Sequence, residues 1–345
     1  MKRALLIWAA MACMAVHSVP AQDATVNKII EIGQTDNQVM DHLDVLTNRI
    51  GGRVIGSNAY DNAVDWVSSK FKEWGLEVEL QEAGTLPVGF NRGPWFGKLL
   101  GENGMELHFV TPSYTAGTKG VQRGHVLQEP LTQSEFDRIK GQLKGAWVLI
   151  NGKNVGWPVD RSAKGDSIRA TIIAENNETA QKNYQIMEDN WRNNTDNPLL
   201  PLKEDVPALF YKQMCEAGVL GFIQSATVPL RALYDRTIMN DPTFTFDNLP
   251  DVCDIKLDEH QYATIKQMVK ERRTFFLEFD IRNHFRMGPV KYYNVIGKIK
   301  GTQYPDEYVM ASGHLRRGDG WCGLRFRHHS GNGSGPHDHE IRCEA

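Results

Sequence analysis

This chain is short of cysteine, of net charge and of long apolar runs, and each shortage removes a class of protein. Five cysteines among 345 residues are too few for a disulfide-stapled scaffold. With 39 basic side chains against 42 acidic ones, there is no basic footprint for nucleic acid. The one long apolar run, Ala4 to Val16, is too short to cross a bilayer, so no membrane span is expected.

What that run does fit is export. Met1-Lys-Arg supplies a basic start, and Ser18-Val-Pro-Ala-Gln supplies small residues for cleavage after Ala21 or Gln22. Residues 1–22 therefore read as a signal peptide, which predicts a secreted or periplasmic protein. A buried N-terminal helix is the alternative, but apolar residues fill every face without an amphipathic stripe. Export would permit a Cys215–Cys253 disulfide; two isolated thiols fit equally well.

Along the chain, Val39, Leu43, Leu46 and Ile50 recur at helical spacing within 36–50, and Gly51-Gly52 ends that helix. A second helix follows, capped by Ser57 or Asn58, with Ala59, Ala63, Val67, Phe71 and Trp74 on one face and a stop at Gly75. Residues 76–80 alternate as a strand. This order opens an α/β domain. Residues 114–288 change character, with short strands near 124–127, 145–150, 220–223 and 275–281. Helices are expected over 134–143 (capped by Ser134), 180–191 and 258–272. Such a segment suits an inserted β-rich domain. After Gly288-Pro289, strands over 293–300 and 307–312 return. The second is apolar enough to predict a central strand, delivering His314 beyond its carboxyl end, where open α/β sheets bind ligands.

Three stretches carry a resemblance to a family. Leu46-Thr-Asn-Arg-Ile-Gly-Gly-Arg-Val-Ile-Gly-Ser57 is one, residues 66–79 ending Glu-Trp-Gly-Leu-Glu-Val-Glu are the second, and Tyr293-Asn-Val-Ile-Gly-Lys-Ile-Lys-Gly-Thr with Tyr308-Val-Met-Ala-Ser-Gly-His314-Leu315 is the third. Together they resemble the co-catalytic zinc exopeptidases that include carboxypeptidase Q and bacterial secreted leucine aminopeptidases, over about residues 25–315. The resemblance implies an incomplete zinc-exopeptidase α/β sheet domain, from 23–113 and 289–315, with a protease-associated domain inserted at 114–288. It implies a bridged zinc pair activating water to hydrolyse peptides or dipeptides, and it makes His314 the first metal ligand.

The pattern breaks after Leu315. Where the family carries Asp two positions beyond its histidine, this chain has Arg316, which repels a metal and cannot accept the ring N–H. Residues 316–345 hold four of the 11 histidines, six glycines, five arginines and no lysine. Read as lacking helical or strand periodicity, this tail is expected to be disordered, and a reading-frame shift accounts for its composition. A rival reading makes His328, His329, His337 and His339 a loose metal-binding tract. One histidine without carboxylate partners cannot hold two ions, so hydrolytic activity is not expected. The alternative function is a non-enzymatic peptide- or protein-binding module centred on 114–288.

Overall fold

In a computed structural model of the chain, the described residues are 21–101, 104–233, 241, 243–315, 323–329 and 339–342. Nearly all of the expected signal peptide lies outside them. The described chain mixes helix and sheet and divides into two compact units, 1–51 and 52–345.

In the first unit, α1 (Ala21–Thr35) is followed by α2 (Val39–Asp44), which widens into a looser turn through Ile50 and stops at Gly51, φ +84°. Side chains of Val26, Ile29, Ile30 and Ile32 on α1 are all exposed.

The second unit begins at the expected turn. Ser57 caps α3 (Asn58–Glu73) by accepting from Tyr60 N at 3.1 Å, satisfying one of the free first-turn donors. Its buried face is Tyr60, Ala63, Val64 and Ser68. That stripe sits one residue away from the expected one, and Trp74, assigned to the apolar face, is exposed. After Gly75 comes β1 (Glu77–Leu86), then β2 (Gly89–Asn91), β3 (Trp95–Leu100), β4 (Met105–Glu106) and β5 (Phe109–Val110). The middle of the chain adds β6 (Gln122–Gly124), β7 (Val126–Gln128), α4 (Gln133–Ile139, capped by Thr132 rather than Ser134), β8 (Trp147–Asn154) and α5 (Ala163–Asn193). Then follow α6 (Tyr211–Glu216), β9 (Gly221–Ala226), β10 (Cys253–Asp258), α7 (Glu259–Lys270), β11 (Phe276–Ile281), β12 (His284–Arg286) and β13 (Val290–Lys298).

Topology separates what lies near the ends of this unit from what lies within it. β1 pairs antiparallel with β13, and β2 with β12. Between these pairs sit a five-stranded sheet, β5-β10-β9-β8-β7, and a four-stranded sheet, β4-β3-β11-β6. β3 and β5, which precede residue 114, thus hydrogen-bond with strands that follow it, and β4 pairs with β3. β7, β8, β9 and β10 run parallel. Burial on both faces explains why β9 and most of β8 and β10 are buried without polar alternation. The two sheets share one core, with Trp147, Ile223, Ile255, Leu277 and Phe279 among its residues, and the Trp147 indole N–H donates to Leu277 O at 3.2 Å.

α5 is 31 residues long, far longer than the helix expected near 180–191. The pattern hid it because few of its residues are buried. Asn176, Asn183 and Asn190 instead clasp the backbone of Lys203, Leu200 and Asn197. Each asparagine amide both donates to a carbonyl and accepts from an N–H of the same residue. The spacing follows from geometry: seven helical residues rise ~10.5 Å and three extended residues ~9.3 Å, so successive clasps stay in step.

Two expectations for the C-terminal part of the chain are corrected. β14 (Tyr308–Ser312) is exposed at every position rather than central, and it pairs with β15 (Gly323–His329). Residues 316–345 do carry strands, β15 and β16 (His339–Arg342). The sequence reading missed the alternation of Leu324, Phe326 and His328.

Candidate functional site

His314 follows β14 and Gly313, and it is exposed. The chain beside it is held: Arg53, only 5% exposed, donates from Nε to Leu315 O at 2.8 Å. Arg53 belongs to the turn after the first helical segment, and that turn is itself pinned. Gly56 has φ +82°, and a Cβ there would lie 2.8 Å from both Leu86 Cδ1 and Tyr114 Oη. Its carbonyl accepts from Phe90 N at 3.2 Å and Arg286 Nη1 at 3.2 Å, while Tyr114 Oη donates to Ile55 O at 2.6 Å. α3 joins the same assembly, because Tyr60 Oη donates to Tyr293 O at 2.5 Å. Arg53 thus joins the first resembling stretch to the third, and β1 joins the second to the third through the pairs Glu77–Lys298 and Glu79–Ile296.

The metal chemistry is a different matter. Among the described residues no three His, Cys, Asp or Glu side chains form a group able to hold a metal ion. Among the described residues, none completes with His314 the carboxylate set that a zinc pair requires. Of the four tail histidines, His337 is outside the described residues, while His328 and His329 lie on β15 and His339 on β16. Cys215 and Cys253 are free, so the disulfide left open by the sequence does not form. Burial pushes their thiols up to about 11 and about 12, which leaves both protonated and poorly nucleophilic near neutral pH.

Other buried polar groups were not anticipated. Glu129 follows β7 and is 4% exposed; desolvation pushes its carboxyl up to about 8, against opposing backbone donors that include Asn151 N at 2.5 Å. Desolvation also pulls the Arg92 guanidinium down to about 10. Arg92 donates to Ser113 Oγ at 2.7 Å and lies over the Trp95 ring. The sequence did offer one signal here: Asp254 and Lys256 sit two apart in an otherwise apolar strand, hence on one face. Lys256 is fully buried, its Nζ 2.7 Å from Asp254 Oδ1 and 3.1 Å from Gln224 Oε1.

Asp254 lines a cavity of about 210 Å³. Its walls come from the segment before α5 (Pro158 to Ser162), from Tyr211 on α6, from Phe222 on β9, and from Asp241 and Phe244. The segment before α5 is tied to the floor by Val159 N donating to Asp254 Oδ2 at 2.8 Å. Asp254 Oδ1 faces Lys256 at ion-pair distance but receives no hydrogen bond in proper geometry. At 2.7 Å the two opposite charges are in contact, and the pair neutralises both groups inside the sheet.

No protein-family model matches the chain, and no curated protein matches it. Among solved structures, it is similar to a peptidase precursor (family M, number twenty-eight) from Shewanella amazonensis, at 17% identity and TM-score 0.46, over 86% of this chain and 58% of that one. It is also similar to a zinc aminopeptidase from Bacillus subtilis, at 12% identity and TM-score 0.36, over 75% of this chain and 46% of that one. An aminopeptidase from an Aneurinibacillus strain gives 12% identity and TM-score 0.33, over 75% and 48% of the two chains. The chain therefore spans about half the length of these structures. Among the described residues, no helix is long and apolar enough to cross a membrane.

Proposed function

We propose that this chain is built on the plan of an exported zinc exopeptidase acting on peptides or dipeptides, with His314 in the position of the first metal ligand. The observation that carries this reading is the Arg53–Leu315 hydrogen bond, which closes 262 residues of sequence. It joins the Gly-Gly-Arg turn of the first resembling stretch to the Ser-Gly-His segment of the third. On this reading a peptidase body comes from residues before about 92 and after about 283. The stretch between them is an inserted protease-associated domain, because β3 joins β11 rather than β1.

The residues described do not fit a zinc pair, so no hydrolytic step is derived. We expect the chain to bind less than one zinc per molecule and to show no zinc-dependent turnover of leucine p-nitroanilide or of dipeptides. Metal content after dialysis and a chromogenic assay with added zinc check this. Two tightly held zincs with hydrolysis would overturn the inactive assignment. Two zincs lost on His314→Ala would confirm that histidine as a ligand.

A second reading, a binding module in the inserted segment, is favoured by the partly charged cavity between α5, α6 and β9.

A further inference from the structure

The last turns of α5 carry an apolar seam that nothing among the described residues covers. Ala180, Tyr184, Met187 and Trp191 are spaced four, three and four apart, the alternation that keeps side chains on one line of a helix surface. Trp191 is 84% exposed, Tyr184 70% and Met187 57%. The returning segment runs alongside, because Asn183 and Asn190 border this line and hold Leu200 and Asn197. It adds Leu199 and Leu200, both about half exposed. The helix is a free arm here. Asn177 Oδ1 accepts from Gln133 N at 3.0 Å. Beyond that bond, among the described residues, the hydrogen bonds of α5 stay within the helix and its returning segment.

Three features identify the occupant of the seam. The first is area. A whole aromatic side chain presents ~150–250 Å², so Tyr184, Met187, Trp191, Leu199 and Leu200 together leave roughly 600 Å² of apolar surface on the arm. The largest patch on an ordinary monomer is about 300–600 Å². Doubled across a two-fold axis, the arm's surface gives about 1,200 Å², where specific interfaces begin. The second is self-complementarity. With two arms antiparallel and the axis between residues 185 and 186, Trp191 faces Ala180 of the second copy, and Tyr184 faces its Met187. The largest side chain then meets the smallest, as knobs-into-holes packing requires. Asn194, which ends α5 at φ +53°, falls opposite Asn177, so each arm stops where the other's body begins. The third is charge. Along the seam's other border Gln181 is neutral and Glu188 is paired with Arg192, so the contact sets no like charges against each other.

We propose that this chain forms a two-fold homodimer through antiparallel packing of its α5 arms, with Trp191 as the anchor. The asparagine clasps suit this use. They hold the returning segment by polar contacts alone and leave the apolar side chains free for the second copy. The inference goes beyond the peptidase reading and does not rest on it.

The test is sedimentation velocity of the full chain across micromolar concentrations, in chelator so that histidines cannot bridge copies through a metal. A monomer–dimer equilibrium is expected. Trp191→Glu should raise its Kd by about thirtyfold or more, as for the loss of a central tryptophan. Trp191 is so exposed in the protomer that this variant leaves the fold intact. Val309→Glu, on the equally exposed β14, should leave the equilibrium unchanged. Combining Ala180→Lys with Trp191→Glu sets opposite charges face to face across the axis and should recover about tenfold of the loss at low salt. Three results would each overturn the proposal: a monomer at every concentration, a dimer that survives Trp191→Glu, or a dimer lost on Val309→Glu. A charge pair that restores nothing would overturn the antiparallel register. None of these outcomes bears on His314 or zinc.

Discussion

Two apolar-rich strands meet opposite fates, and the one with the larger apolar share is the exposed one. β9, Gly-Phe-Ile-Gln-Ser-Ala, is buried at all six positions, whereas β14, Tyr-Val-Met-Ala-Ser, is exposed at all five. β9 has β8 on one side and β10 on the other, with the two faces feeding separate clusters: Ile223 enters one with Ile255 and Leu277, Phe222 the other with Val148 and Phe210. Among the described residues β14 pairs only with β15, and Val309 remains 80% exposed. Apolar composition states what a strand would gain by burial; neighbours on both edges and faces decide whether it gains it. An apolar strand left open in this way also invites association.

The sharpest way to break this comparison is paired truncation. Ile223→Ala, at a fully buried site, should cost ~2–5 kcal/mol in urea unfolding. Val309→Ala should fall within about 0.5 kcal/mol of the parent. A cost for Val309→Ala approaching that of Ile223→Ala would show that β14 is packed in solution.

The next largest effect concerns pH and the buried body alone. Folded Glu129 keeps its proton to about pH 8, while the unfolded carboxyl releases it near 4.5. Its stabilising contribution is therefore complete below about pH 4.5 and is lost as pH rises towards 8, with a span of a few kcal/mol. Urea midpoints of the parent should drop between pH 5 and pH 8.5 relative to Glu129→Gln. Parallel curves for the two proteins would refute the buried neutral carboxyl.

A smaller effect tests whether polar contacts can replace apolar burial along α5. Asn183→Ala removes both bonds to Leu200 and should cost about 1 kcal/mol at this exposed site. Hydrogen exchange at the Leu200 amide should accelerate by about fivefold, following from that energy. Unchanged exchange would mean that the proline-flanked segment holds its place without the clasp.

Much of the local structure was legible in the residues. Gly51 and Gly75 stop helices because they adopt positive φ, +84° and +78°, and Ser57 caps because its hydroxyl reaches a free N–H. The strands at 276–281 and 290–298 announced themselves by pattern. α5 as a whole did not, because a helix held by asparagines shows no buried apolar stripe to read. The cavity was no more visible: Arg161, Tyr211, Asp241 and Asp254 lie on four separate segments, and no spacing rule links them. His314 was identified through its flanking motif, and Arg316 two positions on already marked the break in the ligand pattern.

Local chemistry alone determined the helix stops and the caps, since each depends on neighbours within a few residues. Tertiary structure decided the rest: which apolar strand is covered, where Arg53 closes on Leu315, and which charged groups share a cavity. These depend on contacts between residues tens to hundreds of positions apart, and sequence pattern carries no distance at that range.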